Sequence, residues 1–167
     1  MYPRIYSQSK NGQAERLALR PVEDGFTCRN CQAFVSIYPF FSGVQSRNHC
    51  PYCLWSRHVD WQRAGDRLSA CKASMEPIGL TVKQRQKKYA GESAGELMLI
   101  HRCNDCGRIS INRIAADDLA VKLWEIYNAS TDLDPITRIQ LEECGIWLLQ
   151  RSEYRLVSRQ LAGTCEL

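Results

Sequence analysis

Apolar and polar residues alternate in three stretches of the chain. Ile78–Val82 and Glu96–Arg102 predict two strands, the second with Leu97, Leu99 and His101 on one face and Met98 and Ile100 on the other. Between them the polar stretch Lys83–Gly95 predicts a long hairpin loop. Ile109, Ile111 and Arg113 alternate with polar neighbours and predict a further short strand. The pattern changes at Ala115. Leu119, Leu123 and Ile126 fall at helical spacing, and Asp117 and Asp118 suit a helix start. Asp134–Pro135 forms an N-cap and first-turn pair. Ile136, Ile139, Cys144, Trp147 and Leu148 follow as an apolar stripe, which makes Cys144 a core residue. Gly145 interrupts that stripe or marks a close approach. Residues 57–75 lack a clear period and predict a structured loop. The expected organisation is a polar arm over 1–24, a module over 25–118 and a helical extension over 119–167.

Composition narrows the class. Hydrophobic residues make up 44% and charged residues 24%, values ordinary for a globular protein. No run approaches the roughly 18 apolar residues of a transmembrane helix. The first residues, MYPRIYSQSKNGQ, lack the apolar stretch of a secretory signal, so the cytoplasm is expected. The formal charge of +4 is uneven. Residues 25–114 carry thirteen Lys/Arg against six Asp/Glu, and residues 115–167 carry five against nine. Zinc-bound thiolates would reduce the central excess from +7 to about +4, because a four-cysteine site with its ion is −2 and a three-cysteine, one-histidine site −1.

The cysteines change the picture most. Nine cysteines in a reducing compartment read as metal ligands, and an odd count fits a disulfide framework poorly. Cys28-x2-Cys31 and Cys50-x2-Cys53 have zinc-ribbon spacing. Cys103-x2-Cys106 is a third pair and needs two more donors; Cys71 and His58 are the candidates, with His101 as a competing histidine and Asp60 able to orient His58. The alternative division joins Cys28 and Cys31 to Cys103 and Cys106. Either way two zinc ions are expected. Cys165 is expected to be an exposed thiol.

The string Arg47-Asn48-His49-Cys50-Pro51-Tyr52-Cys53-Leu54-Trp55-Ser56 resembles the signature of the RNHCP domain family. The resemblance continues through His58-Val59-Asp60, Gly65-Asp66-Arg67, Cys71, Met75-Glu76-Pro77-Ile78, His101-Arg102-Cys103, Cys106-Gly107 and Asn112-Arg113-Ile114-Ala115, and so spans Phe26 to Asp118. Gln32 stands where the family usually has glycine, and the family's glycine near Ala73 is also missing. The resemblance implies a small bacterial zinc-binding domain. It also implies a ribosomal or RNA context, since related domains are associated with a ribosome-assembly GTPase.

The fold expected is therefore α+β, a β-rich two-zinc module of zinc-ribbon type followed by a short α-helical tail. Arg47, Asn48 and His49 either brace the adjoining knuckle or face RNA. Arg108 and Arg113, with Arg57, Arg67 and Arg102, add positive charge, and Tyr52 and Trp55 could stack on bases. Lys83, Arg85, Lys87 and Lys88 form the densest basic run and suit phosphate contacts. Arg151, Arg155 and Arg159 would line one helix face. The expected role is a non-enzymatic module that binds ribosome or structured RNA, with no membrane and no small-molecule substrate. The alternatives are a protein adaptor that docks through the acidic helices, and a nuclease built on His49, His58, Asp60 and Asn112. The nuclease is disfavoured because the best metal sets leave no open position.

Overall fold

The computed structural model describes residues 24–83 and 95–162. Its strands form two antiparallel sheets. Strands β1 (Gly25–Thr27) and β2 (Phe34–Ser36) make a small ribbon. Strands β3 (Ser56–Arg57), β4 (Ser74–Lys83), β5 (Glu96–Cys103) and β6 (Ile109–Arg113) lie in sequence order in a four-stranded meander. A short helix α1 (Pro39–Ser42) ends at Gly43, whose φ of 68° is the left-handed conformation that closes a helix. The predicted strands are all present. β4 is longer at both ends than the alternation shows, because Pro77 and Gly79 mask the pattern where the register to β5 shifts. Arg85, Lys87 and Lys88 lie outside the described residues, as do Cys165 and residues 1–23 of the arm expected over 1–24.

The meander is buried on both faces, and the C-terminal segment buries it. Helix α2 (Ala120–Ala129) and helix α4 (Tyr154–Ala162) contribute Leu123, Tyr127 and Val157 to a core with Leu54, Leu80, Leu97 and Leu99. Helix α3 (Pro135–Glu143) and the residues after it bring Leu141 and Leu148 against Ile78 and Ile100 on the opposite face. Leu149 N–H donates to Leu80 C=O at 2.9 Å, so this segment also satisfies part of the free edge of β4. Gly79 allows the close approach: a Cβ there would lie 2.4 Å from Leu148 Cδ1. The residues after 118 thus complete the core of the sheet.

Two helical expectations change in detail. Asp134 caps α3 as predicted, accepting from Thr137 N–H at 2.9 Å, with Pro135 in the first turn. The buried face of α3 is Thr137 and Leu141, however, while Ile136, Ile139, Cys144 and Trp147 are exposed. Cys144 is therefore not a core residue. The helix ends at Glu143, and Gly145 at φ 66° turns the chain, so helical spacing does not extend from Ile136 to Trp147. Asp117 and Asp118 also lie outside α2, and their partners are in the metal region.

Candidate metal centres

Three CxxC segments share one local architecture. Each is the tip of a β-hairpin or bridge: Cys28 to Cys31 between β1 and β2, Cys50 to Cys53 within the His49–Ser56 bridge, and Cys103 to Cys106 between β5 and β6. In each, the first cysteine's carbonyl accepts from the residue after the second cysteine: Gln32 at 2.9 Å, Leu54 at 2.8 Å and Gly107 at 3.1 Å. The first cysteine's N–H donates to the residue after that, Ala33, Trp55 or Arg108, at 2.9 Å in all three. The residue after the second cysteine is left-handed in every case, with φ of 62° at Gln32, 63° at Leu54 and 72° at Gly107. That conformation suits glycine, and two of the three positions are not glycine. At Gln32 the side chain ties the turn down by donating from Nε2 to Arg29 C=O at 3.0 Å.

The fourth half-site has the same bonds without the same sequence. His58 C=O accepts from Lys72 N–H at 3.1 Å, and His58 N–H donates to Ala73 C=O at 2.9 Å. Lys72 is left-handed at φ 54°. His58 thus stands where a first cysteine would be and Cys71 where the second would be, at the tip of the β3–β4 hairpin. The usual two intervening residues are replaced by twelve, Val59–Ala70. This insertion organises itself. Asp66 accepts from the N–H groups of Trp61, Gln62, Arg63 and Leu68, and the main-chain donors, those of Arg63 and Trp61 foremost, hold its carboxyl well below the usual carboxylate range. Asp60 accepts from Gly65 and Arg67 N–H. Asp60 therefore shapes the loop, and it forms no hydrogen bond to the His58 ring.

The half-sites pair into two four-donor groups, Cys28/Cys31/Cys50/Cys53 and His58/Cys71/Cys103/Cys106, with the donor atoms of each group within 4.8 Å of one another. This is the first division given above. The sulfurs of Cys28 and Cys53 are 3.5 Å apart, and those of Cys31 and Cys50 and of Cys71 and Cys103 are 3.6 Å apart. Disulfide sulfurs would be about 2.05 Å apart, whereas a zinc tetrahedron with Zn–S near 2.3 Å has edges of roughly 3.8 Å. The His58 ring presents Nδ1 to Cys106 Sγ at 3.3 Å. Burial, with Arg108 nearby, lowers the His58 pKa and favours the neutral ring a metal requires. Burial pushes the Cys50 thiol up, so its thiolate needs a cation beside it. Two zinc ions fit these groups.

His101 is not a ligand. It is fully buried, with Nε2 donating to Leu54 C=O at 2.7 Å and Nδ1 accepting from Asn112 Nδ2 at 2.8 Å. Burial pushes its pKa down to about 3, so it is a neutral core residue. Asn112 is thereby committed to His101.

The signature residues Arg47 and His49 also turn inward. Arg47 is 3% exposed and its guanidinium meets Asp117 at 2.7 Å and Asp118 at 3.1 Å. His49 Nε2 meets Asp118 at 2.8 Å. Arg47 Nε also donates to His49 C=O at 3.0 Å. These side chains join the second knuckle to the start of the C-terminal segment, and the bracing alternative describes their place. Asn48 is half-buried, and its carbonyl accepts from Ser56 Oγ and Arg57 N–H.

The remaining basic candidates lie on the surface. Arg108 is exposed and its guanidinium carbon lies 5.2 Å from the centre of the Trp61 ring. Lys83 is exposed at the end of β4. Arg113 is exposed but paired with Glu96 at 2.8 Å. Tyr52 is exposed and Trp55 half-buried. Arg29 and Lys72 were not singled out in the sequence, yet they stand with Arg57 and Arg67 between the two metal groups; each immediately follows a ligand cysteine, which is the signal that could have found them.

No described helix is long and apolar enough to cross a membrane. Compared with known proteins, the chain matches the family model of the RNHCP domain over residues 23–124. No curated protein and no solved structure matches it.

Proposed function

We propose that this chain, which belongs to the RNHCP domain family, is a non-enzymatic zinc module of the cytoplasm that binds structured RNA, as in a ribosomal particle. The observation that carries the reading is one patch beside the second metal group. Arg57, Arg63, Arg108 and Trp61 surround a depression of about 120 Å³, and the three arginines form no ion pair among the described residues. Unpaired guanidiniums beside an exposed ring suit phosphates and an unstacked base. The family's implied RNA context points the same way. Each metal group has four protein donors, which suits a structural ion more than a catalytic one with an open position.

The test compares wild type with Arg57→Ala/Arg63→Ala/Arg108→Ala against isolated small and large ribosomal subunits at several salt concentrations. Log affinity falls by about 0.7–0.9 per log salt for each phosphate contact, so the triple variant flattens the slope by about two to three. Wild type that binds neither subunit contradicts the reading, and cleavage of RNA with added magnesium or manganese restores the nuclease. A second reading, a protein adaptor, is favoured by the exposed apolar side chains Ile136, Ile139 and Trp147. It expects Ile136→Asp/Ile139→Asp to lose a protein partner while RNA binding is unchanged. Removing residues 116–167 would not test it, because they complete the core.

A further inference from the structure

A second and larger cavity, of about 300 Å³, lies between the first knuckle and the β3–β4 hairpin. Phe26, Trp55 and Val59 supply apolar wall, and Arg29, Arg57 and Arg67 supply charge. The anchoring of these cations is unusual. Arg29 Nη1 and Arg57 Nε both donate to the one carbonyl oxygen of Lys72, each at 3.2 Å. Lys72 Nζ in turn donates to Arg67 C=O, and Arg67 Nη2 to Arg47 C=O, each at 3.1 Å. Four cations are thus drawn together by main-chain carbonyls. The single carboxylate paired with the group is Asp60, 3.7 Å from Arg67, while Arg29 and Arg57 form no ion pair among the described residues. Cations gathered without countercharge raise the potential at the mouth and favour a bound anion.

The split knuckle makes this arrangement. The left-handed turn at Lys72 aims its carbonyl at both guanidiniums, and the twelve-residue insertion brings Arg67 and Val59 alongside. A two-residue knuckle has neither residue to offer. The volume lies at the small end of ligand cavities, which admits one planar ring with one charged group and excludes an extended ligand.

We infer that this cavity receives a single nucleoside monophosphate unit, its base against Trp55 and Phe26 and its phosphate at Arg29 and Arg57. The inference rests on the RNA reading above for its source, an unpaired nucleotide of a structured RNA; a free mononucleotide offers the same chemistry.

The test uses the zinc-loaded full chain and three probes: an RNA hairpin with an unpaired loop, a blunt duplex of the same stem, and free 5′-UMP. Base stacking on an aromatic wall favours the looped RNA by about tenfold. Arg29→Ala/Arg57→Ala should remove that preference, bringing hairpin binding down to the duplex level of the same variant, since any general loss of phosphate contact from Arg57 is common to both RNAs, with zinc content unchanged. Trp55→Phe should retain the preference, which separates the ring from the fold. A looped hairpin carrying 4-thiouridine should crosslink to the segment holding Trp55. Equal binding of hairpin and duplex overturns the inference, as does a double variant that keeps the preference, and either result leaves the RNA reading standing. Wild type that binds neither RNA ends that reading instead. In that case saturable 5′-UMP binding lost in the double variant sustains the cavity as a free-mononucleotide site, and its absence overturns it.

Discussion

His58 stands to Cys71, across twelve intervening residues, as the first cysteine of a CxxC knuckle stands to the second across two: it makes the same two main-chain hydrogen bonds, here with Lys72 N–H and Ala73 C=O just beyond Cys71. The metal-binding turn is therefore a property of the hairpin tip and not of the CxxC string. Once the ends are fixed by β3–β4 pairing, at Arg57–Ser74, the segment between them is free to lengthen. The entropic cost of a longer loop grows only slowly with length, and Asp60 and Asp66 offset part of it by binding the loop's N–H groups.

If His58 occupies a first-cysteine position, cysteine should serve there. His58→Cys should keep two metals per chain. After cobalt substitution its sulfur-to-metal charge-transfer absorption should rise by about one-seventh, from seven thiolates to eight. His58→Ala should lose the second metal. A His58→Cys protein that holds one metal, or shows no change in absorption, contradicts the split-knuckle assignment.

Asp118 carries two buried partners, and Asp117 is its exposed neighbour. The Asp118 side chain is 0% exposed and that of Asp117 37%. Asp118→Asn leaves Arg47 and His49 in the interior without their carboxylate, and breaking a buried pair costs roughly 3–5 kcal/mol. Asp117→Ala should cost less than about 1 kcal/mol, as exposed pairs do. Urea denaturation of the zinc-loaded proteins measures both. Equal losses contradict the view that the signature arginine and histidine brace the fold.

Strand alternation, the α3 cap and the three CxxC pairs were legible because each depends on local spacing; His58 and Cys71, with twelve residues between them, were reached only as the donors the third pair lacked. What was not legible depends on long-range closure. Arg47 and His49 beside a knuckle can be read as brace or as surface until Asp118, some seventy residues on, meets both. The stripe from Ile136 to Leu148 assumed an unbroken helix, but the helix ends at Glu143 and the chain turns at Gly145, so of its members only Leu148 is buried. The extension read as separate because its apolar residues carry no mark of where they pack, yet Leu123, Leu141 and Leu149 complete both faces of the meander.

The corrected face of α3 gives a paired prediction. Leu141→Ala, at 1% exposure, should destabilise the zinc-loaded protein by about 2–5 kcal/mol. Ile139→Asp, at 54% exposure, should stay within about 0.5 kcal/mol. Thermal or urea unfolding decides it, and the reverse order would falsify the assigned face.

Zinc content tests the central claim most directly. Native mass spectrometry of the purified chain should show two zinc ions bound per chain. Structural zinc contributes on the order of 10 kcal/mol in small motifs, so chelation, or Cys50→Ser, should also unfold the region that the knuckles hold. A chain that carries one zinc or none, or that stays fully folded once both are stripped, contradicts the account.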